Sequence, residues 1–131
     1  MKIRVNGIPA PQGSKRHVGG GRMVEASRAV GPWREAVRTE TQRDAGGEGG
    51  LYRGPVQVHI EFFLPRPKTA PKSRTRPDKR PDLDKLVRAT LDGLVMGGAF
   101  ADDAQVVSLM ADKYFADDIN PRGARIHVEA L

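Results

Sequence analysis

The sequence predicts an α+β fold in which a small mixed β-sheet carries two main helices on one face, in the order β-α-β-α-β-β. Three patterns support this prediction. Residues 56–64 alternate apolar and polar side chains, as a half-buried strand does, and residues 83–95 repeat apolar side chains at helical spacing. Two more strand-like segments, residues 105–115 and 125–131, flank a turn rich in Asp, Asn, Pro and Gly. A chain of 131 residues has the length of one domain, which we expect to comprise residues 1–131.

The N-terminal part of the chain begins with a predicted strand over residues 2–8, with Ile3 and Val5 on its inner face. Residues 9–21 contain too many Pro and Gly residues for regular structure, so they predict an irregular loop that approaches phosphates closely. A glycine-rich surface hairpin has the same composition and is the alternative. The residues of this loop expected to contact nucleic acid are Lys15 and Arg16.

The first main helix is predicted over residues 27–43, because apolar side chains recur at helical spacing and Gly46-Gly47 follow. Burial habits favour a core position for Trp33 over a role as a base-stacking platform. In the central strand of residues 56–64, the inward side chains are expected to be Val56, Val58, Ile60 and Phe62.

Residues 65–81 predict a mobile basic arm, which five prolines keep extended and unpaired. Residues 66–80 contain seven basic residues and one acidic residue, whereas residues 81–131 contain five basic and nine acidic residues. A basic stretch beside an acidic one is typical of a polyanion-binding surface around a cation-binding site, although solvated surface charge is the ordinary alternative. The expected DNA contacts of the arm are Lys68, Lys72, Arg74, Arg76, Lys79 and Arg80.

The composition restricts both the metal and the location of the protein. With no cysteine and only three scattered histidines, a bound metal must be held mainly by carboxylates, which predicts Mg²⁺, with Mn²⁺ as the alternative. No apolar run approaches the roughly 20 residues of a membrane span, and the N-terminus lacks the apolar stretch of a signal peptide. We therefore expect a cytoplasmic protein without a membrane partner.

Two pairs of aspartates carry the chemical information. Asp82 and Asp84 stand at the start of the second main helix, and Asp102 and Asp103 stand just before the following strand. Taken singly, each pair has an ordinary explanation as a helix cap or a polar turn. The pairs meet if that strand lies against the N-terminal end of the helix. Four converging carboxylates repel one another unless a divalent cation intervenes, and such a cation is what phosphodiester hydrolysis needs.

The segment over residues 81–113 closely resembles the RusA family of Holliday junction resolvases. That family has a D-L-D-N-L start, an aspartate before a small residue and a leucine, and an aspartate pair followed by Gln and an apolar strand that ends near a Lys. Without gaps, this chain has P-D-L-D-K-L at 81–86, D-G-L at 92–94, D-D-A-Q-V at 102–106 and Lys113. The N-terminal P-A-P-Q-G-S-K-R is similar more loosely.

The resemblance implies a homodimeric nuclease that binds four-way DNA junctions and, with Mg²⁺, nicks two opposing strands symmetrically during DNA recombination and repair. Asp82, Asp84 and Asp103 take the places of the family's essential acids, with Asp102 beside them. Arg88 replaces the family's catalytic lysine. Arginine keeps the positive charge and grips a phosphate at two points, but it does not donate a proton at neutral pH. The remaining basic residues expected to contact DNA are Lys85, which replaces an asparagine, and Lys113.

Two other functions remain open from the sequence. A non-catalytic DNA-binding or architectural protein would use the basic arm on phosphates while the aspartates merely cap and turn the chain. A nuclease with the same site chemistry would act instead on forks or flaps. Cleavage of a four-way junction, tested with and without Mg²⁺ and beside other branched substrates, separates these functions.

Overall fold

The computed structural model describes residues 1–13, 28–46 and 50–131, together with the backbone of residues 15–17 and 23–25. Its strands are β1 (Lys2–Asn6), β2 (Lys15–His17), β3 (Met23–Glu25), β4 (Val56–Leu64), β5 (Val106–Phe115) and β6 (Gly123–Ala130). Its helices are α1 (Val30–Ala45) and α2 (Leu83–Met96), and a short 3₁₀ turn covers Asp103–Gln105. Within the described residues, no helix has both the length and the apolar character needed to cross a bilayer.

The main sheet has four strands in the order β1-β6-β4-β5. β4 runs parallel to β5 and antiparallel to β6, and β6 pairs antiparallel with β1. The parallel pair is connected through α2, as parallel neighbours require a crossover. The predicted mixed sheet, the predicted order of its elements and the α+β class are therefore confirmed.

β4 lies in the centre of the core. Its bounds agree with the prediction, and the four predicted inward side chains of β4 are fully buried. The same face of β6 contributes Ala124, Ile126 and Val128, which are also buried. Alternation from Val56 to Phe62 gives this strand one apolar face, which both helices cover, and Phe63 is buried as well on the other face.

The two helices contact each other closely over one stretch. Trp33 is buried, as predicted, and its indole Nε1 donates a hydrogen bond of 3.1 Å to Oγ1 of Thr90. At Gly93 a side-chain carbon would lie 2.7 Å from Cβ of Val37, so only glycine fits between the helices at this point. This close approach fixes the height of α2 against α1.

The predicted irregular loop over residues 9–21 is wrong in one respect. Residues 15–17 of β2 pair antiparallel with residues 23–25 of β3, which is the hairpin alternative. The ladder uses the residues on either side of the glycine-rich stretch, where a strand conformation is unhindered.

The basic arm is not extended and unpaired, so that prediction is wrong as well. The guanidinium of Arg66 donates to the carbonyls of Arg74 at 3.0 Å and Pro71 at 2.7 Å, and backbone hydrogen bonds close turns at Ala70 and Arg74. The guanidinium groups of Arg66 and Arg74 also lie 4.7 and 5.2 Å from the ring centre of Phe115. Arginine stacks on aromatic faces and donates in several directions, so it folds the arm onto the end of β5.

Candidate active site

One face of α2 carries charged side chains in a line. The apolar face buries Leu86 and Leu94 against the sheet, and Asp84, Arg88 and Asp92 follow one another at four-residue steps outside the core. Four residues advance a helix by roughly 6 Å, so each of these side chains lies about one turn from the next. The amphipathic pattern of the sequence places a guanidinium between two carboxylates on this face.

Asp82 occupies the position before the first turn of α2. Its backbone is extended, with φ −69° and ψ 136°, but its side chain makes no capping hydrogen bond to any described residue. The ammonium of Lys85 pairs with it, with Nζ 3.8 Å from Oδ2 of Asp82. Capping therefore does not account for this carboxylate, which remains available to a ligand.

Lys113 holds the chain just ahead of Asp82. Its Nζ donates hydrogen bonds of 2.9 Å to the carbonyls of Lys79 and Pro81. The end of β5 thus reaches the N-terminal end of α2 and fixes where Asp82 begins the helix. Contact of Lys113 with DNA stays a prediction, and in the structure two of its three donors serve the backbone.

Asp102 and Gln105 form a reciprocal cap around the 3₁₀ turn. Oδ1 of Asp102 accepts from the amide of Ala104 at 2.8 Å, and Oε1 of Gln105 accepts from the amides of Ala101 and Asp102 at 2.9 and 3.2 Å. The cap orders the backbone that carries the second aspartate pair. Asp102 therefore does stabilise a turn, which is the ordinary explanation that its sequence position offers.

The amide group of Gln105 also ties this turn to the loop before β4. Its Nε2 donates to the carbonyls of Tyr52 at 3.0 Å and Gly54 at 2.9 Å. The sequence placed Gln105 on the family pattern without giving it a role. Because its partners lie about fifty positions away, no local signal reveals this contact.

The carboxyl group of Asp103 lies close to other acidic groups. Its pKa is raised, first by partial loss of hydration, then by a hydrogen bond and charge repulsion from Asp102, and further by the charge of Asp92. The guanidinium of Arg88 acts in the opposite direction and lowers the pKa of Asp103. Asp103 is thus the meeting point of acidic groups from α2 and from the 3₁₀ turn.

A cleft of about 350 Å³ opens beside these acids. Asp92, Asp102 and Asp103 line it together with Arg34 of α1. The Nη1 atom of Arg34 lies 3.7 Å from Oδ2 of Asp92, so α1 supplies a cation that the sequence did not indicate. The cleft combines acids that can hold a cation with an arginine that can contact a phosphate.

The structure brings the predicted acids together in part. Asp92, Asp102 and Asp103 line one cleft and the charge of Arg88 acts on Asp103, while Asp82 and Asp84 stand at the N-terminal end of α2. In the described part of the chain, no three carboxylate or imidazole groups are arranged to enclose a metal ion. The convergence of all four predicted aspartates therefore stays a prediction.

The predicted DNA contacts differ in their surroundings. Arg74 is half-buried and paired with Asp78 at 2.8 Å, and the guanidinium of Arg76 lies 4.3 Å from the ring centre of Tyr114. The side chains of Lys15 and Arg16 lie outside the described residues. The arm residues that are exposed to solvent without a stacking partner among the described rings are Lys68, Lys72, Lys79 and Arg80.

Comparison with known proteins gives two matches. The sequence model of the family described as endodeoxyribonuclease RusA matches residues 5–129, nearly the whole chain. A protein of uncharacterised function named YqaN, from Bacillus subtilis (strain 168), is 31% identical over 78 residues, a stretch covering 52% of this chain and 54% of YqaN. The chain thus spans about half the length of this curated relative.

Proposed function

Because the chain belongs to the endodeoxyribonuclease RusA family, we propose that it resolves four-way DNA junctions by paired, symmetric nicks that depend on Mg²⁺. This activity serves DNA recombination and repair. The observation that carries the proposal is the cleft where Asp102 and Asp103 of the 3₁₀ turn meet Asp92 of α2, with the charge of Arg88 acting on Asp103. Repelling carboxylates beside an arginine suit a site that takes up a cation together with a phosphate.

The donor set fits Mg²⁺. Mg²⁺ prefers oxygen ligands, and it usually keeps several waters and takes only one or two carboxylates in addition to substrate phosphate oxygens. A preformed cage of three protein ligands is therefore not needed, and the raised pKa of Asp103 indicates a group that a cation would stabilise in its ionised form. The residues that would hold the metal are among Asp82, Asp84, Asp102 and Asp103, of which Asp102 and Asp103 lie together in the cleft.

The metal would lower the pKa of the attacking water and neutralise charge on the departing oxygen. The protein side chains have complementary tasks. Arg88, placed one turn from both Asp84 and Asp92, binds the phosphate that is cut and stabilises its developing charge without transferring a proton. Lys85 shares the phosphate contact at the start of α2. The capped turn at Asp102 and the contacts of Lys113 hold the two ends of the site in place.

Two symmetric nicks need two sites related by a two-fold axis, so the active form is a homodimer. β5 is an edge strand of ten residues, with one side paired to β4. Val107, Leu109 and Met110 on β5 are 63%, 48% and 61% exposed. A long apolar edge of this kind favours pairing with another chain, and a second copy of β5 would cover it. The lean aromatic content of the chain, 5%, favours such coverage as well.

The test is cleavage of a synthetic four-way junction by the purified protein, with Mg²⁺ and with a chelator. Paired nicks at symmetric positions are expected only with the metal. Asp84→Asn and Asp103→Asn should each abolish cleavage but keep or strengthen junction binding, because each removes a metal ligand and reduces repulsion toward phosphates.

The conservative variant Asp118→Asn is a matched control, since Asp118 is exposed in the turn between β5 and β6. It should cut as the unchanged protein does. Mg²⁺-dependent cutting that survives in Asp103→Asn would refute the site assignment. Binding without cutting by the unchanged protein would favour a non-catalytic DNA-binding protein, and preferential cutting of forks or flaps would favour the other nuclease.

A further inference from the structure

A second cavity, of about 630 Å³, borders Asp82 at the start of α2. Residues 8–11 and Pro81 form its apolar wall, and Arg80, Asp82 and Lys85 form its charged rim. Its volume falls within the roughly 300–1,000 Å³ of sites that bind small organic groups. The junction-cutting chemistry described above uses Asp82 and Lys85 but leaves the apolar wall without a role.

The apolar wall stands on a loop that is held at both ends. The amide of Gly7 donates to the carbonyl of Arg122 at 3.3 Å, and the amide of Gln12 donates to the carbonyl of Lys85 at 3.0 Å. Between these two anchors Ile8 is 55% exposed, although the neighbouring Ala10 is buried. The loop therefore presents an isoleucine to solvent at a fixed distance from the first turn of α2.

The side chains around the cavity indicate which kind of ligand it would bind. Cations at Arg80 and Lys85 attract phosphates, while the adjoining wall of aliphatic and proline side chains suits a flat apolar surface. A nucleotide combines these two properties, and DNA-binding proteins commonly press Ile and Pro side chains against unstacked bases. In the open form of a four-way junction the arms do not stack on one another, so a base at the crossover has lost one of its stacking neighbours.

We infer that the cavity bordered by Ile8, Pro81 and Asp82 takes one nucleobase next to the phosphate that is cut. This inference rests on the proposed function for the position of the cut. The base leaves its stack and lies against Ile8 and the prolines, while the phosphates on either side of it contact Arg80 and Lys85. The cavity then contributes to the choice of nucleotide at which the strand is cut.

The experiment uses junctions that carry 2-aminopurine, an adenine analogue whose fluorescence is quenched when it stacks on other bases. The analogue is placed in turn at each nucleotide around the crossover, and once deep within an arm. The full-length protein is added without divalent metal, so that binding is observed without cutting. Among the described residues, no aromatic side chain lines the cavity, so a base held there should fluoresce strongly.

We expect the fluorescence to rise several-fold at one nucleotide beside the cut and to stay unchanged within the arm. Ile8→Ala should lose most of this rise and cut more slowly, on the order of tenfold, because three carbon atoms no longer pack on the base. Ile119→Ala is the matched control, since Ile119 is 87% exposed in the turn before β6 and distant in sequence from the cavity. On a junction with an abasic nucleotide at the same position, Ile8→Ala and the unchanged protein should cut at equal rates.

The two proposals fail in different ways. Normal cutting without a fluorescence rise at any nucleotide around the crossover would overturn the nucleobase site and leave the nuclease intact. Equal cutting of the ordinary junction by Ile8→Ala and the unchanged protein would overturn it too. A fluorescence rise that needs Ile8 in a protein that never cuts would support the nucleobase site and reject the nuclease.

Discussion

Asp102 and Gln105 hold each other's backbone: the carboxylate of Asp102 caps the turn that contains Gln105, and the amide oxygen of Gln105 accepts from the amide of Asp102. The same Gln105 side chain reaches the carbonyls of Tyr52 and Gly54. Asp103, between these two residues, therefore has a backbone that is held from both sides. The placement of Asp103 therefore depends on the neutral amide of Gln105.

We expect Gln105→Leu to misplace Asp103 and to destabilise the protein. Loss of the amide leaves backbone groups without partners, at about 1–3 kcal/mol in the free energy of unfolding. The single-turnover rate should fall by roughly 10²-fold if the turn moves by about 1 Å. Junction affinity should stay unchanged, because Gln105 contributes no charge. Urea unfolding, binding and single-turnover cutting measure the three effects.

The variant Gln105→Glu separates positioning from general instability. Glutamate retains the acceptor for the amides of Ala101 and Asp102 but lacks the donor for Tyr52 and Gly54. Its rate should lie between those of Gln105→Leu and the unchanged protein. A Gln105→Leu protein that cuts at the normal rate would show that Asp103 does not depend on this contact.

The second prediction concerns pH and the pair Arg88–Asp103. Arg88 lowers the pKa of Asp103, so Arg88→Gln should raise that pKa further and shift the acid side of the pH–rate profile to higher pH. Arg88→Lys keeps the charge and should restore the position of the profile. The rate itself should fall on the order of 10²-fold in Arg88→Gln, because a phosphate-stabilising group is lost. An acid limb at the same pH in both variants would contradict the pairing.

The same raised pKa determines the sign of a stability effect in the metal-free protein. The folded state holds the proton of Asp103 more tightly than the unfolded chain does. This contribution to stability is complete below the ordinary carboxyl pKa and is lost as the pH rises through the raised value. Asp103→Asn should remove that part of the pH dependence of unfolding.

The third prediction concerns the basic arm. Neutralising Lys68, Lys72, Lys79 and Arg80 together, as glutamines, should weaken junction binding and flatten its salt dependence. Each lost contact with a duplex phosphate reduces the slope of log K against log salt by about 0.9. Lys2→Gln, on the far edge strand β1, should leave the slope unchanged. An unchanged slope in the fourfold variant would identify the arm as solvated surface.

The fourth prediction concerns the edge of β5. Sedimentation equilibrium should give twice the chain mass of 14.3 kDa at micromolar concentration. Met110→Lys should shift the protein toward a monomer, because the exposed apolar edge then carries a charge. Such a monomer should leave nicked circles from a supercoiled cruciform, whereas the dimer yields linear product. Ile119→Lys serves as the control, and a dimer that Met110→Lys leaves intact would place the interface elsewhere.

The sequence predicted those secondary-structure elements that local residue patterns determine. In residues 56–64 alternation predicted the four inward side chains and Pro65 predicted the end of the strand, but neither predicted the burial of Phe63 on the other face. The start of α2 was equally clear, because Pro81 and Asp82 precede an amphipathic run that ends at Gly97. In both segments, residues two to four positions apart lie on the same face of the element and are therefore buried or exposed together.

Contacts between distant segments were not predictable in the same way. The arm was expected to be extended because of its prolines, yet its arginines fold onto Tyr114 and Phe115, about forty positions later. The partners of Gln105, which are Tyr52 and Gly54, are also distant in sequence, so local patterns did not predict them. The sequence indicated that two aspartate pairs belong to one site, but the cations that accompany them, such as Arg34 on α1, depend on helix packing.

The contacts of β5 at its two ends have a consequence for the length of the chain between the aspartate pairs. Asp102 and Asp103 precede the strand. Near the end of the strand, Lys113 donates a hydrogen bond to the carbonyl of Pro81, just before Asp82. From Val106 to Lys113 an extended chain covers roughly 23 Å, close to the roughly 20 Å spanned by the fourteen residues of α2. The helix and the strand are thus matched in length. An inserted or deleted residue in either the helix or the strand would therefore move one aspartate pair relative to the other.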